Sequence, residues 1–172
     1  MKKIFFLFII FFTAFTLNAQ KKFDEKTGDE ILKLLPDKMK DKNNGKDKDA
    51  KKEKDKVKDA KGFLGVIIHR DYGEDDQSIR VEIINNSPSL ISVNAFLNNP
   101  VNNPDLYAVT VIDGYPALVQ TLTNENSTID YELLLPMDAT LLTVRCKGYN
   151  REEVIAFANN IPVAKIAKKV AK

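Results

Sequence analysis

From Gly62 onward the chain is written in short apolar runs separated by turn-forming residues, and that punctuation limits what it can fold into. In SIRVEIINN, Ile79, Val81 and Ile83 alternate with Arg80 and Glu82, the period-two pattern of a strand with one buried side. GFLGVIIHRDY precedes it across the acidic turn GEDDQ, so the two form a hairpin. Ser87-Pro88 offers a helix start, with proline at the first helical position. Leu90, Val93, Phe96 and Leu97 follow at helical spacing until Asn98-Asn99-Pro100 stops the run. After VNNPD, LYAVTVIDG and PALVQTLT pair across Gly114-Tyr115-Pro116, and TIDYELLLP and ATLLTVRCKG pair across Met137 and Asp138. NREEVIAFANNI begins like a capping box, with Asn150 as cap and Glu153 three residues later, and its apolar face is Val154, Phe157, Ala158 and Ile161. Pro162 ends it, and VAKIAKKVAK adds a short amphipathic piece. The order ββαββββα predicts an α+β domain over residues 62–172: an antiparallel sheet of about six strands with helices packed on one face.

The other end of the chain is a leader, MKKIFFLFIIFFTAFTLNAQ: two lysines, an apolar run and a more polar tail. That order marks residues 1–19 as a signal peptide, with cleavage between Ala19 and Gln20, although Leu17 at the minus-three position is larger than usual. The rival is an uncleaved anchor, but Ile4 to Leu17 falls short of the ~20 residues a spanning helix needs. The expectation is export to the periplasm or the extracellular space, with no stable membrane anchor after cleavage. The single cysteine, Cys146, is far from the cleavage point, which excludes lipid acylation there, and it has no second cysteine for an internal disulfide. The domain must stand on its hydrophobic core.

Residues 20–36 carry a short N-terminal helical segment, GDEILKLLP, in which Ile31, Leu32, Leu34 and Leu35 cluster before Pro36. A helix this short must pack on the domain or on a partner. Residues 37–61 then hold 11 lysines and 7 acids, net +4, whereas residues 62–172 hold 9 basic and 13 acidic residues, net −4. Nucleic-acid arms cluster Lys and Arg without interleaved acids; KDKDAKKEKDKVKDAK meets an Asp or Glu every few lysines and lacks Arg and aromatics. A calcium loop with Gly45 in the glycine slot would need oxygen ligands at Lys40, Lys42 and Asn44, and two of those are cations. The segment reads as a lysine/aspartate-rich, solvated tether, and nucleic acid is not an expected partner.

Little in the domain points to chemistry. His69 is the only histidine, so a two-histidine metal site is impossible. In HRDY it reads as an exposed or half-buried strand residue on the face of Phe63 and Gly65, rather than a general base. Cys146 shares an apolar face with Leu142 and Val144 and reads as a buried, inert thiol. The acidic tip Tyr72-Gly73-Glu74-Asp75-Asp76 reads as a solvated turn that could hold calcium only weakly, and the Asn pairs in INNS, LNNP, VNNP and ANNI as turn and cap formers. Nucleophile-elbow, phosphate-loop, paired-cysteine and dinucleotide signatures are absent. No catalytic, cofactor-binding or metal-binding residue is assigned, and an enzyme is not expected.

The succession ILKLLP, Arg70-Asp71-Tyr72, IRVEI, NNSP, LNNP, VIDGYPAL and LLTVRCKGYNREEVIAFANNI resembles a family of small exported bacterial proteins of unknown function. The final strand, glycine and helix are also similar to PsbP-like domains. That resemblance implies an α+β fold serving in assembly or binding rather than catalysis, and it carries over no site residues; the lysine-rich arm departs from it. Two functions are expected from these readings. The first is a non-catalytic exported domain that binds a protein partner in the cell envelope or takes part in envelope maintenance. The second is a carrier of an apolar ligand or lipid in a pocket between sheet and helices.

Overall fold

The computed structural model describes residues 25–39, 42–43, 57–58, 64–65, 67–74, 76–101, 103–123 and 129–171. The leader, its cleavage site and most of the charged arm lie outside the described residues. In chain order the elements are α1 (Glu25–Leu32), β1 (Lys38–Met39), β2 (Lys42–Asn43), β3 (Val57–Lys58), β4 (Leu64–Gly65), β5 (Ile67–Glu74), β6 (Gln77–Asn85), α2 (Leu90–Asn98), β7 (Tyr107–Ile112), β8 (Tyr115–Thr123), β9 (Ile129–Met137), β10 (Thr140–Lys147), α3 (Arg151–Ala158) and α4 (Val163–Val170). Six strands form one antiparallel sheet in the order β5-β6-β10-β9-β8-β7, the α+β sheet expected from the alternation and turns. The short strands pair separately, β1 with β2 and β3 with β4.

Turn chemistry sets the hairpins. Asp113 (φ 50°) and Gly114 (φ 86°) both take left-handed conformations between β7 and β8, the geometry that matches strand twist and favours Asp-Gly. That places the turn earlier than expected: Tyr115 and Pro116 are already in β8. Pairing of β8 with β9 starts at Leu118, so Pro116, which has no N–H to give, sits outside that ladder. The Asp113 carboxylate also accepts from the Ala164 amide at 2.7 Å, supplying the start of α4 with a cap that Pro162 cannot provide. At α3 the capping box is present, Asn150 and Glu153 each accepting from the other's backbone N–H.

The first face of the sheet carries the main core. Ile68, Tyr72, Ile79, Val81, Ile83, Val119, Leu133, Leu135, Leu142, Val144 and Cys146 are buried against Val154 and Phe157 of α3 and Val163 and Ile166 of α4. The N-terminal segment belongs to this core, since Ile31, Leu35 and Met39 are buried in it. Three further hydrogen bonds hold it: the Tyr72 hydroxyl donates to the Pro36 carbonyl at 2.6 Å, and Arg70 Nη1 donates to the Leu35 carbonyl at 2.7 Å and the Pro36 carbonyl at 3.2 Å. Met39 therefore belongs to the body, although it falls within the stretch read as a tether.

One helix departs from the expected single layer. α2 packs on the opposite face, where Leu90 and Val93 meet Leu118, Leu134 and Leu141 in a separate cluster. β9 and β10 accordingly bury both of their faces through Leu133-Leu134-Leu135 and Leu141-Leu142-Thr143-Val144. The α2 start also differs: the helix begins at Leu90 after Ser89, and the Ser87 hydroxyl accepts from the Ser89 amide at 3.3 Å instead of capping the helix directly.

Candidate functional site

On the α2 face, alternation aligns polar side chains into cross-strand rows beside the Leu118, Leu134 and Leu141 cluster. One row runs Gln120, Glu132, Arg145, Arg80 and Asp71 across β8, β9, β10, β6 and β5. The next runs Leu118, Leu134, Thr143, Glu82 and His69. Arg145 donates to Glu132 Oε1 from Nε (3.1 Å) and Nη2 (2.7 Å), while Gln120 donates to Oε2 at 2.8 Å. This satisfies a carboxylate that burial would otherwise penalise. Arg80 and Asp71 form a two-point pair at 2.7 and 3.0 Å. Glu82 is held more loosely, with the Thr143 hydroxyl at 3.5 Å and Arg80 Nη1 at 3.8 Å.

Between these rows and α2 lies a pocket of about 420 Å³. Its walls mix Glu82, Glu132 and Arg145 with Ser87 and Ser92 of the α2 region, and Leu134 and Phe96 add apolar surface. A second groove, of about 380 Å³, lies at the sheet margin between Phe96, Pro100, Val101, Pro104 and Val109. The neighbouring edge strand β7 exposes Val109 (48%) and Val111 (62%), and Val101 beside it is 63% exposed.

His69 lies on this face, but not in the expected state. It is 5% exposed, opposite Glu82, with Nε2 3.7 Å from Asp71 Oδ2. β2 lies close to β5, so the strand that carries His69 is not a bare edge. Cys146 occupies the other face, opposite Ile79 and Tyr131, and the cross-strand register keeps it apart from His69. Burial first, and the Glu153 and Asp130 carboxylates second, push its thiol up to about 12, which keeps it protonated and unreactive. Burial likewise pushes the Tyr72 phenol up to about 12, against the opposing pull of Arg70. At the acidic tip, Asp76 is exposed and pairs with Lys147 at 3.3 Å; Asp75 lies outside the described residues. Among the described residues no group of three His, Cys, Asp or Glu side chains could hold a metal ion.

The pocket gave no signal as a motif. Its one trace in the sequence is the pair of runs ELLLP and TLLTV, too apolar for a strand with a solvated face, which demand a cover on both sides.

No family model matches the chain, and neither a curated protein nor a solved structure matches it. These comparisons therefore leave the PsbP-like resemblance where the sequence put it.

Proposed function

We propose that this chain is an exported, non-catalytic domain that binds a protein partner of the cell envelope through its β7 margin. The observation that carries this reading is the strand itself. Sheet edges offer unpaired backbone groups, and proteins that avoid edge pairing shield them with charge, proline or a bulge. Tyr107–Ile112 reads YAVTVI, with no charged residue and no proline, and among the described residues it ends the sheet on that side. Val109 and Val111 stand exposed beside the groove lined by Phe96 and Val101. A partner strand added here would gain backbone hydrogen bonds and place side chains in an apolar groove. Export is supported by the leader sequence, and among the described residues no helix is long and apolar enough to cross a membrane.

The test is site-specific photo-crosslinking in the host envelope, with the reactive residue at Val111 or, as a control, at the exposed Lys165 of α4. A discrete adduct is expected from position 111 alone, and Val109→Lys should abolish it at an unchanged unfolding midpoint. Identical adducts from both positions, or an adduct that survives Val109→Lys, would overturn the reading.

The apolar-carrier alternative has less behind it. The space between the first face and its helices is filled by fully buried side chains, among them Ile31, Leu133, Leu142, Val154 and Ile166. The pocket under α2 carries two carboxylates. Native mass spectrometry of protein purified from its host would reveal a co-purifying lipid if the carrier reading is right.

A further inference from the structure

We propose that the pocket beneath α2 is a binding site for a small organic cation, an alkylammonium group on a short hydrocarbon body, with Glu82 as its counter-ion. The argument starts from charge. The carboxylates and guanidiniums of the two rows are Asp71, Glu82, Glu132, Arg80 and Arg145, three acids to two arginines, with His69 opposite Glu82 and its Nε2 3.7 Å from Asp71. The surplus can be located. Glu132 takes two donors from Arg145 and one from Gln120. Asp71 takes two from Arg80. Glu82 is left with a hydroxyl at 3.5 Å and, at 3.8 Å, the Nη1 of an Arg80 whose Nε and Nη2 both bond Asp71. A carboxylate in a concave, partly desolvated setting attracts a cation more strongly than one in open water.

The remaining walls select among cations. The leucine cluster of Leu118, Leu134 and Leu141 gives the floor apolar surface for a hydrocarbon chain. Phe96 and Tyr107 stand with ring centroids 4.9 Å apart at the pocket wall and offer π-faces to a positive group. Ser87 and Ser92 bring hydroxyl oxygens that can accept from an ammonium, which has three donors and no acceptor. A hydrated metal ion would make no use of the leucines, and an anion would meet Glu82. Val109 and Val111, the residues tested for the β7 reading, do not line this pocket, although Phe96 and Tyr107 border both it and the β7 groove.

The experiment titrates the full chain with n-butylammonium chloride, following amide chemical shifts, with glucose and sodium acetate as neutral and anionic controls. Saturable shifts at Ser87, Thr143 and neighbouring amides are expected for butylammonium alone, with binding that weakens as salt is raised. Glu82→Gln should weaken the affinity at least tenfold. Ser92 is exposed on α2, so Ser92→Lys tolerates folding and places a competing cation at the mouth; it too should suppress binding. No shifts with butylammonium, equal affinity in Glu82→Gln or Ser92→Lys, or binding of glucose in preference to the amine would each overturn the proposal.

Discussion

Cys146 shows how far a single residue could be read from sequence. Its alternation with Leu142 and Val144 placed it on an apolar face, and there it is fully buried. Its thiol should therefore resist a disulfide-exchange reagent at pH 8 in the native protein and react fully once the chain is unfolded. The raised titration also carries a pH signature. An unfolded cysteine gives up its proton near 9 and the folded one near 12, so this contribution to stability is whole below pH 9 and is lost as pH rises towards 12. Tyr72 acts in the same direction between 10 and about 12. Stability should fall across pH 9 to 12, and Cys146→Val should flatten the first part of that fall; an unchanged slope would contradict the assignment. His69 was less legible. Alternation gives a face but not its cover, and β2, contributed from more than twenty residues upstream, lies close to its strand.

At the scale of elements, hairpins and helix starts were legible because they depend on neighbours in sequence. Asp113-Gly114 and the Asn150-Glu153 box are local chemistry. The face that a helix chooses is not local, and α2 is the case in point: its apolar residues announce a buried side without saying which side of the sheet it meets. The two aromatic residues on helices separate the two cores. Phe157 is 4% exposed in the main cluster, in edge contact with Tyr149, so Phe157→Ala should cost on the order of 3 to 5 kcal/mol. Phe96 is only half-buried beside the smaller cluster, and Phe96→Ala should cost clearly less in the same denaturant titration. Equal losses would mean that α2 is as deeply packed as α3. The turn after β10 gives a sharper case. Gly148 has φ +73°, and a methyl group there would lie 2.1 Å from the Asp76 carbonyl oxygen. Gly148→Ala should destabilise by about 2 to 3 kcal/mol, combining backbone strain with displacement of the β5–β6 turn. An unchanged midpoint would contradict the close approach.

For the whole molecule, the organising feature is a sheet whose two faces do different work. The first face is closed by α1, α3 and α4 together with Leu35 and Met39; the second holds α2, the polar rows and the pocket, and runs out to β7, the end strand among the described residues. Composition hid this arrangement, because the apolar cluster of residues 31–35 is cut off from the domain by a charged arm and could equally have served a partner. The cluster's burial, with Tyr72 and Arg70 bonded to the backbone at Leu35 and Pro36, ties it to its own body. If that segment left, the main core would open and the first face would become an exposed apolar surface. The decisive measurement is therefore to cut the chain at a protease site inserted between Asn44 and Lys56 and to follow both pieces by size-exclusion chromatography under native conditions. The account predicts that the piece containing Ile31, Leu35 and Met39 co-elutes with the body and separates only in denaturant. Release of that piece from a body that stays folded at the uncut midpoint would contradict it.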